Sequence, residues 1–260
     1  MCTLIVLHRC YAEAPVLVAA NRDEYLDRPA ESPTRRRSGS RTLVAPRDLR
    51  AGGTWLGTND AGVFAALTNR PTARPDATRR SRGLLVEDAL AAGCAHEAAA
   101  AAARLPADAY NPFNLFVCDE AEAFAIVYED KPVVRELAAG VHVVGNADPD
   151  CRRAPKTARL LGEAERVAAR PVAEVLDALA DVCRVHGVGA SPLEDTCIHA
   201  GGYGTRSSTL LRRGGPPGSE VLRFAEGPPC ANAYRDLTTL LGELDPRAGV
   251  FREAPERTDD

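Results

Sequence analysis

A chain of 260 residues, 45% hydrophobic and 26% charged, can bury a full core and has the composition of a globular protein, not of a disordered or fibrous one. Its formal charge of −4 offers no basic surface for nucleic acid, which excludes that class of partner. Eight cysteines without a CxxC pair, and without a Cys/His spacing suited to zinc, argue against a structural metal site and against a secreted disulfide scaffold.

In chain order, residues 2–7 and 15–20 read as strands apolar on both faces, joined by "RCYAEAP". The apolar run 4–7 is too short for a signal-peptide core or a membrane span, so no span and a reduced cytoplasmic setting are expected. "PTRRRSGSR" reads as a solvated loop. "GGTWLGTNDAGVFAALTNRP" reads as a hairpin with Asn59, Asp60 and Gly62 at its turn. The alanine-rich "SRGLLVEDALAAGCAHEAAAAAARL" predicts one helix, and "NLFVCDEAEAFAIVYED" a hairpin turning at "DEAE". "VHVVGNADPD" is a strand entering a polar turn. Helices follow over 154–169 and 171–186, then late strands in "DTCIHAGGYGTRSSTLLRRG" and "SEVLRFAEG". "YRDLTTLLGEL" gives a short last helix, and a polar tail from about residue 252 is expected to be mobile. Strand hairpins separated by helices predict one α+β domain over 1–260, with antiparallel sheets covered by helices.

A cysteine inside an apolar strand is ordinarily a packing residue. Cys2 differs because loss of Met1 would make its thiol and a free α-amine part of one residue. A hairpin turning near Ala12 and Glu13 pairs positions that sum to about 24 or 25, which sets Cys2 opposite Arg22 or Asp23. The amine and the thiol both titrate near working pH, so the amine can take the thiol's proton and return it to a leaving group. Arg22 would favour the thiolate, and Asp23 or Glu24 would hold the ammonium. Asn21 completes the polar tetrad and is expected to face the ligand. Trp55, between glycines, either lines a ligand mouth or packs in a tight turn, and Asn69 and Arg70 end a strand aimed at the same pocket.

The stretches "MCTLI", "ANRDEY", "GGTWLG", "ALTNRP", "YNPFNLFV", "VVGNA" and "YGTRSSTLL" resemble, in order, the NRDE or transport and Golgi organization protein 2 family. The pattern is also similar to the cysteine branch of the N-terminal nucleophile hydrolases. This resemblance implies a four-layer αββα sandwich with Cys2 as nucleophile and Arg22 and Asp23 beside it. It also implies Asn146 as an oxyanion donor and Arg206 as an arginine reaching back to the site. The family's association with haem trafficking and lipid homeostasis implies the alternative of a non-catalytic carrier. The expected ligand is therefore a small acyl amide, an acyl-CoA or haem. No cofactor is required for catalysis, and no covalent haem motif is present. His199 is the expected contact of a bound haem.

Overall fold

The computed structural model describes residues 2–242 and Leu244. Two antiparallel sheets stack face to face. The first contains β1 (Cys2–Tyr11), β2 (Ala14–Tyr25), β10 (Gly140–Val144), β11 (His199–Ala200), β12 (Tyr203–Arg213), β13 (Val221–Glu226) and β14 (Arg235–Asp236). Its order is β10-β1-β2-β12-β13-β14, with β11 pairing to β12. The second runs β3 (Ala30–Ser38), β4 (Arg41–Asp48), β5 (Leu56–Asn59), β6 (Phe64–Asn69), β7 (Phe113–Cys118), β8 (Ala123–Tyr128) and β9 (Pro132–Leu137) in simple sequence order.

Alternation along the strands builds the layers. In β1, Leu4 and Val6 enter the core between the sheets with Val18, Phe64 and Phe116. Their neighbours Ile5 and Leu7 face the other way, onto α3 (Pro155–Val167) and α4 (Val172–Arg184). The outer face of the second sheet packs on α1 (Arg82–Leu90) and α2 (Ala95–Ala102). Helix, sheet, sheet and helix make the four layers expected. A short α5 (Thr239–Gly242) buries Leu241 against the inter-sheet core. Among the described residues, no helix is long and apolar enough to cross a membrane.

Three expectations change. "PTRRRSGSR" is strand rather than loop, because β3 is an edge strand whose outward arginines protect the open edge, while Arg36 turns inward to Glu87 and the Ala45 carbonyl. The alanine-rich helix is two helices. Asn59 Nδ2 donates to the carbonyls of Leu90 and Ala92 and so satisfies the end of α1 from outside the helix. The Gly93 N–H then bonds Glu97 as α2 begins. β9 had no counterpart in the sequence reading, since its valines, 46% and 36% exposed, give no buried apolar face. The tail from residue 252 lies outside the described residues.

Candidate active site

β1 lies between β2 and β10; the β2 ladder reaches its first residue and the β10 ladder ends two residues in, at Leu4. In the first, Cys2 pairs with Arg22, which settles the choice between Arg22 and Asp23. In the second, the final pair is Leu4 with Val144, and Asn146 follows two residues beyond the end of β10. The half-buried Cys2 lines a cleft of about 450 Å³, shared with Arg22, Asp23, Glu24, Trp55 and Asn69. Burial pushes the thiol above its ordinary value. The positive chain terminus opposes this shift, the Asp23 charge adds to it, and the Asp23 N–H and Arg22 pull it back.

Arg22 is 4% exposed, and its charge is answered on two sides. Nη2 donates to Asp48 Oδ2 at 2.9 Å, and the guanidinium lies 4.2 Å over the Trp55 ring. Arg28 Nε donates to the same Asp48 oxygen at 2.6 Å. Burial raises the Asp48 carboxyl, but Arg28, the Ala51 N–H and Arg22 together hold it below the ordinary carboxylate range. The glycines of "GGTWLG" explain how Trp55 gets there. Gly52 turns the chain at φ +82°, and a Cβ on Gly53 would lie 2.2 Å from the Gly83 carbonyl carbon. That approach brings the start of α1, with Arg82, to the cleft wall. Among the described residues Arg82 makes no ion pair; its Nη1 donates to the Pro112 carbonyl, and burial lowers its pKa.

Asp23 is buried below the strand end. Thr205 donates to its Oδ1 at 2.6 Å, and the Tyr203 hydroxyl donates to its backbone carbonyl. Burial raises its carboxyl to about 6, against the pull of Lys156 and the Thr205 hydrogen bond. Lys156, in the first turn of α3, sits in an electrostatic field shared with Asp23 and Cys2, and burial lowers its pKa. Sequence reasoning missed Lys156, Asp48, Arg28, Arg82 and Thr205. Only Lys156 had a signal, as one of two lysines in the chain, the other being Lys131.

The remaining predicted residues divide. Glu24 and Asn69 line the cleft. Glu24 sits 3.7 Å from Arg28 and accepts the Tyr25 N–H, leaving Asp23 as the deeper acid. Asn146 donates to the Asn69 carbonyl and lines an apolar groove of about 510 Å³ with Thr3, Lys156, Leu160 and Leu193. Arg70 borders the adjoining groove, but its guanidinium is engaged by Asn114, Asp148 and Glu129. Asn21 corrects the expectation of a ligand contact. It is 1% exposed, does not line the cleft, and donates to the carbonyls of Cys183 and Thr196, tying α4 to the segment before β11. Arg206 is the extra residue of a bulge in β12 between Thr205 and Ser207. It lines a separate cavity of about 120 Å³ behind Arg22 and Trp55, so it does not reach the cleft that holds Cys2. His199 lies outside the cleft too, against Cys197 and Cys230.

Comparison with solved structures gives the same architecture. Penicillin V acylase from Agrobacterium tumefaciens superposes with a TM-score of 0.60 at 16% identity, over 94% of this chain and 88% of that one. The C2A mutant of conjugated bile acid hydrolase from Clostridium perfringens gives 0.56 at 12% identity, over 92% and 93%. The Caenorhabditis elegans ortholog of N-acylethanolamine-hydrolyzing acid amidase gives 0.54 at 14%, over 84% and 94%. The fold is therefore that of the N-terminal nucleophile hydrolases. In sequence, the chain is 28% identical to the human Transport and Golgi organization protein 2 homolog over 225 residues, covering 75% of this chain and 81% of that protein. The bovine homolog is 33% identical over 141 residues, 51% of this chain and 50% of that protein. The family model of Transport and Golgi organisation 2 matches residues 1–214, and the chain belongs to that family.

Proposed function

We propose that this protein is an N-terminal-cysteine hydrolase that cleaves an amide or thioester bond of a small acyl substrate. After loss of Met1, the Cys2 α-amine accepts the thiol proton and the thiolate attacks the substrate carbonyl carbon. The oxyanion takes a hydrogen bond from the second N–H of the Asn146 amide and another from a backbone N–H. Collapse breaks the acyl bond, and the leaving amine or thiol takes the proton from the Cys2 ammonium. Water then hydrolyses the acyl-cysteine, with the amine again as base. Arg22 stays cationic and favours the thiolate, and Asp23 holds the ammonium.

The observation that carries this reading is the pairing of Cys2 with Arg22 at the wall of an open cleft, with Asn146 two residues beyond the Leu4–Val144 pair that ends the neighbouring ladder. The substrate class draws on the neighbours named as an acylase, a conjugated bile acid hydrolase and an amidase. Intact mass after mixing with N-acyl amides and acyl thioesters tests it. The expected result is a chain lacking Met1 that gains one acyl group, and a Cys2→Ala variant that gains none. Retention of Met1 in the active preparation, or equal turnover by Cys2→Ala, overturns it.

A second reading, carriage of an amphipathic anion such as an acyl-CoA or haem, draws on the arginines of the cleft beside the apolar groove. Stoichiometric binding without an acyl adduct would favour it. Haem would then be held without His199, which does not line the cleft.

A further inference from the structure

On the far side of Asp23 and Thr205, four soft donors meet that no local spacing in the sequence brings together. Cys197 Sγ lies 3.6 Å from Cys230 Sγ and 3.6 Å from His199 Nε2, and His199 Nε2 lies 3.2 Å from Cys230 Sγ. The donor atoms of His186, His199 and Cys230 all fall within 4.8 Å of one another, and the two imidazole rings meet edge to face at 5.0 Å. A tetrahedral zinc, with sulfur at about 2.3 Å and imidazole nitrogen at about 2.0 Å, demands sulfur–sulfur edges of about 3.8 Å and sulfur–nitrogen edges of about 3.6 Å. The two 3.6 Å edges are near those of one face of that tetrahedron and the 3.2 Å edge is shorter, while His186, whose donor atom lies within 4.8 Å of those of His199 and Cys230, supplies the fourth donor.

The geometry points to a Cys2His2 zinc site formed by His186, Cys197, His199 and Cys230, separate from the Cys2 cleft. Binding would release two thiol protons to solvent and form two zinc–thiolate and two zinc–imidazole bonds. The frame that holds the donors is already built by the protein. The Cys197 N–H bonds the Val185 carbonyl, His199 is fixed in β11 opposite Gly204, and Arg184 Nε reaches the Pro229 carbonyl beside Cys230. Asp195 accepts the N–H groups of Gly187, Val188 and Gly189 and shapes the loop between His186 and Cys197.

The site has a structural consequence. The ligands come from the end of α4, the approach to β11 and the turn after β13, so the ion would clasp three segments. Between His186 and Cys197 the loop carries Ser191, Leu193 and Glu194, which form part of the apolar groove wall. Zinc would thus brace the groove without touching the nucleophile.

Titration of the thiol-reduced, chelator-treated full-length protein with Co2+, followed by displacement with Zn2+, tests the assignment. Expected are one equivalent of cobalt with a thiolate charge-transfer band and tetrahedral d–d bands, and tighter binding of zinc. Cys230→Ser, a change at a half-buried turn, should weaken zinc at least about 100-fold, and His186→Ala about tenfold. Cys2→Ala should bind as wild type, which separates this site from the nucleophile. Near-UV circular dichroism of each variant, matched to wild type, keeps a lost affinity from reflecting lost folding. Absence of a stoichiometric cobalt spectrum overturns the proposal, as does a thiolate band that survives Cys230→Ser or disappears in Cys2→Ala. Recovery of a Cys197–Cys230 disulfide from protein purified under reducing conditions overturns it as well.

Discussion

Thr205 donates its hydroxyl to Asp23 across 2.6 Å while accepting the Ile198 N–H at 2.8 Å, so one side chain joins the acid beside the nucleophile to the segment leading into β11. Asp23 keeps its proton up to about pH 6 in the fold, against an ordinary value of 3.8. The folded state therefore binds that proton more tightly than the unfolded chain. Its contribution to stability is fully present below about pH 3.8 and is lost as pH rises through about 6. Asp23→Asn should flatten the decline of stability across this interval, by up to about 3 kcal/mol. Urea denaturation at a series of pH values measures it, and an unchanged slope in the variant would contradict the assignment.

Lys156 supplies positive charge to both Asp23 and Cys2. Lys156→Gln should raise both acids, moving the acid limb of kcat/KM upward. It should also slow alkylation of Cys2 near neutral pH. The rate of iodoacetamide labelling at Cys2, read by peptide mass, provides the second measurement.

Asp48 answers two guanidiniums, one of them the buried Arg22. Asp48→Ala strands that charge and should cost about 3–5 kcal/mol, with Asp48→Asn costing less. Trp55 is the chain's one tryptophan and lies against Arg22, so its fluorescence reports both the unfolding transition and the local rearrangement.

Asn146 should act on the transition state rather than on substrate binding. Asn146→Ala is expected to lower kcat by about 100-fold to 1,000-fold with KM little changed. Loss of affinity with kcat intact would assign it to the groove wall instead.

His142 bonds Asp150 through Nδ1 at 2.8 Å and the Ala138 carbonyl through Nε2 at 2.9 Å. Burial lowers its pKa, but Asp150 and that carbonyl bring it above the ordinary 6.5. Its stabilisation is complete below about pH 6.5 and disappears as pH rises through the folded value. Asp150→Asn should cost about 1–2 kcal/mol near pH 6 and less near pH 9. Thermal denaturation at both pH values distinguishes the two.

Antiparallel sheets covered by helices, and the neighbourhood of Cys2 with the end of the second strand, were legible because both depend on local pattern, while the four-layer order came from the family resemblance. Continuous apolar strands and a short turn narrow the register to Arg22 or Asp23 opposite Cys2, and the structure has Arg22. What remained hidden depends on distance along the chain. Asp48 meets Arg22 only after two strands of the second sheet are laid down, and Lys156 comes from a helix on the opposite face. The division of the alanine-rich helix is imposed by Asn59, a residue of the β5–β6 hairpin. Asn21 misled because polarity at a strand end looks the same whether it faces a ligand or a pair of buried carbonyls. The His186–Cys230 cluster was invisible for the same reason as Asp48: its members are neighbours only in space.

A strand that begins at residue 2 yet occupies the interior of a sheet also has a kinetic meaning. β1 cannot gain β10 as its second partner until more than half of the chain has been made, and β2 gains its own only when β12 arrives. Long-range pairings of this kind form slowly and late. The thiol thus leaves the ribosome as an ordinary side chain, and its special surroundings come into being with the finished molecule.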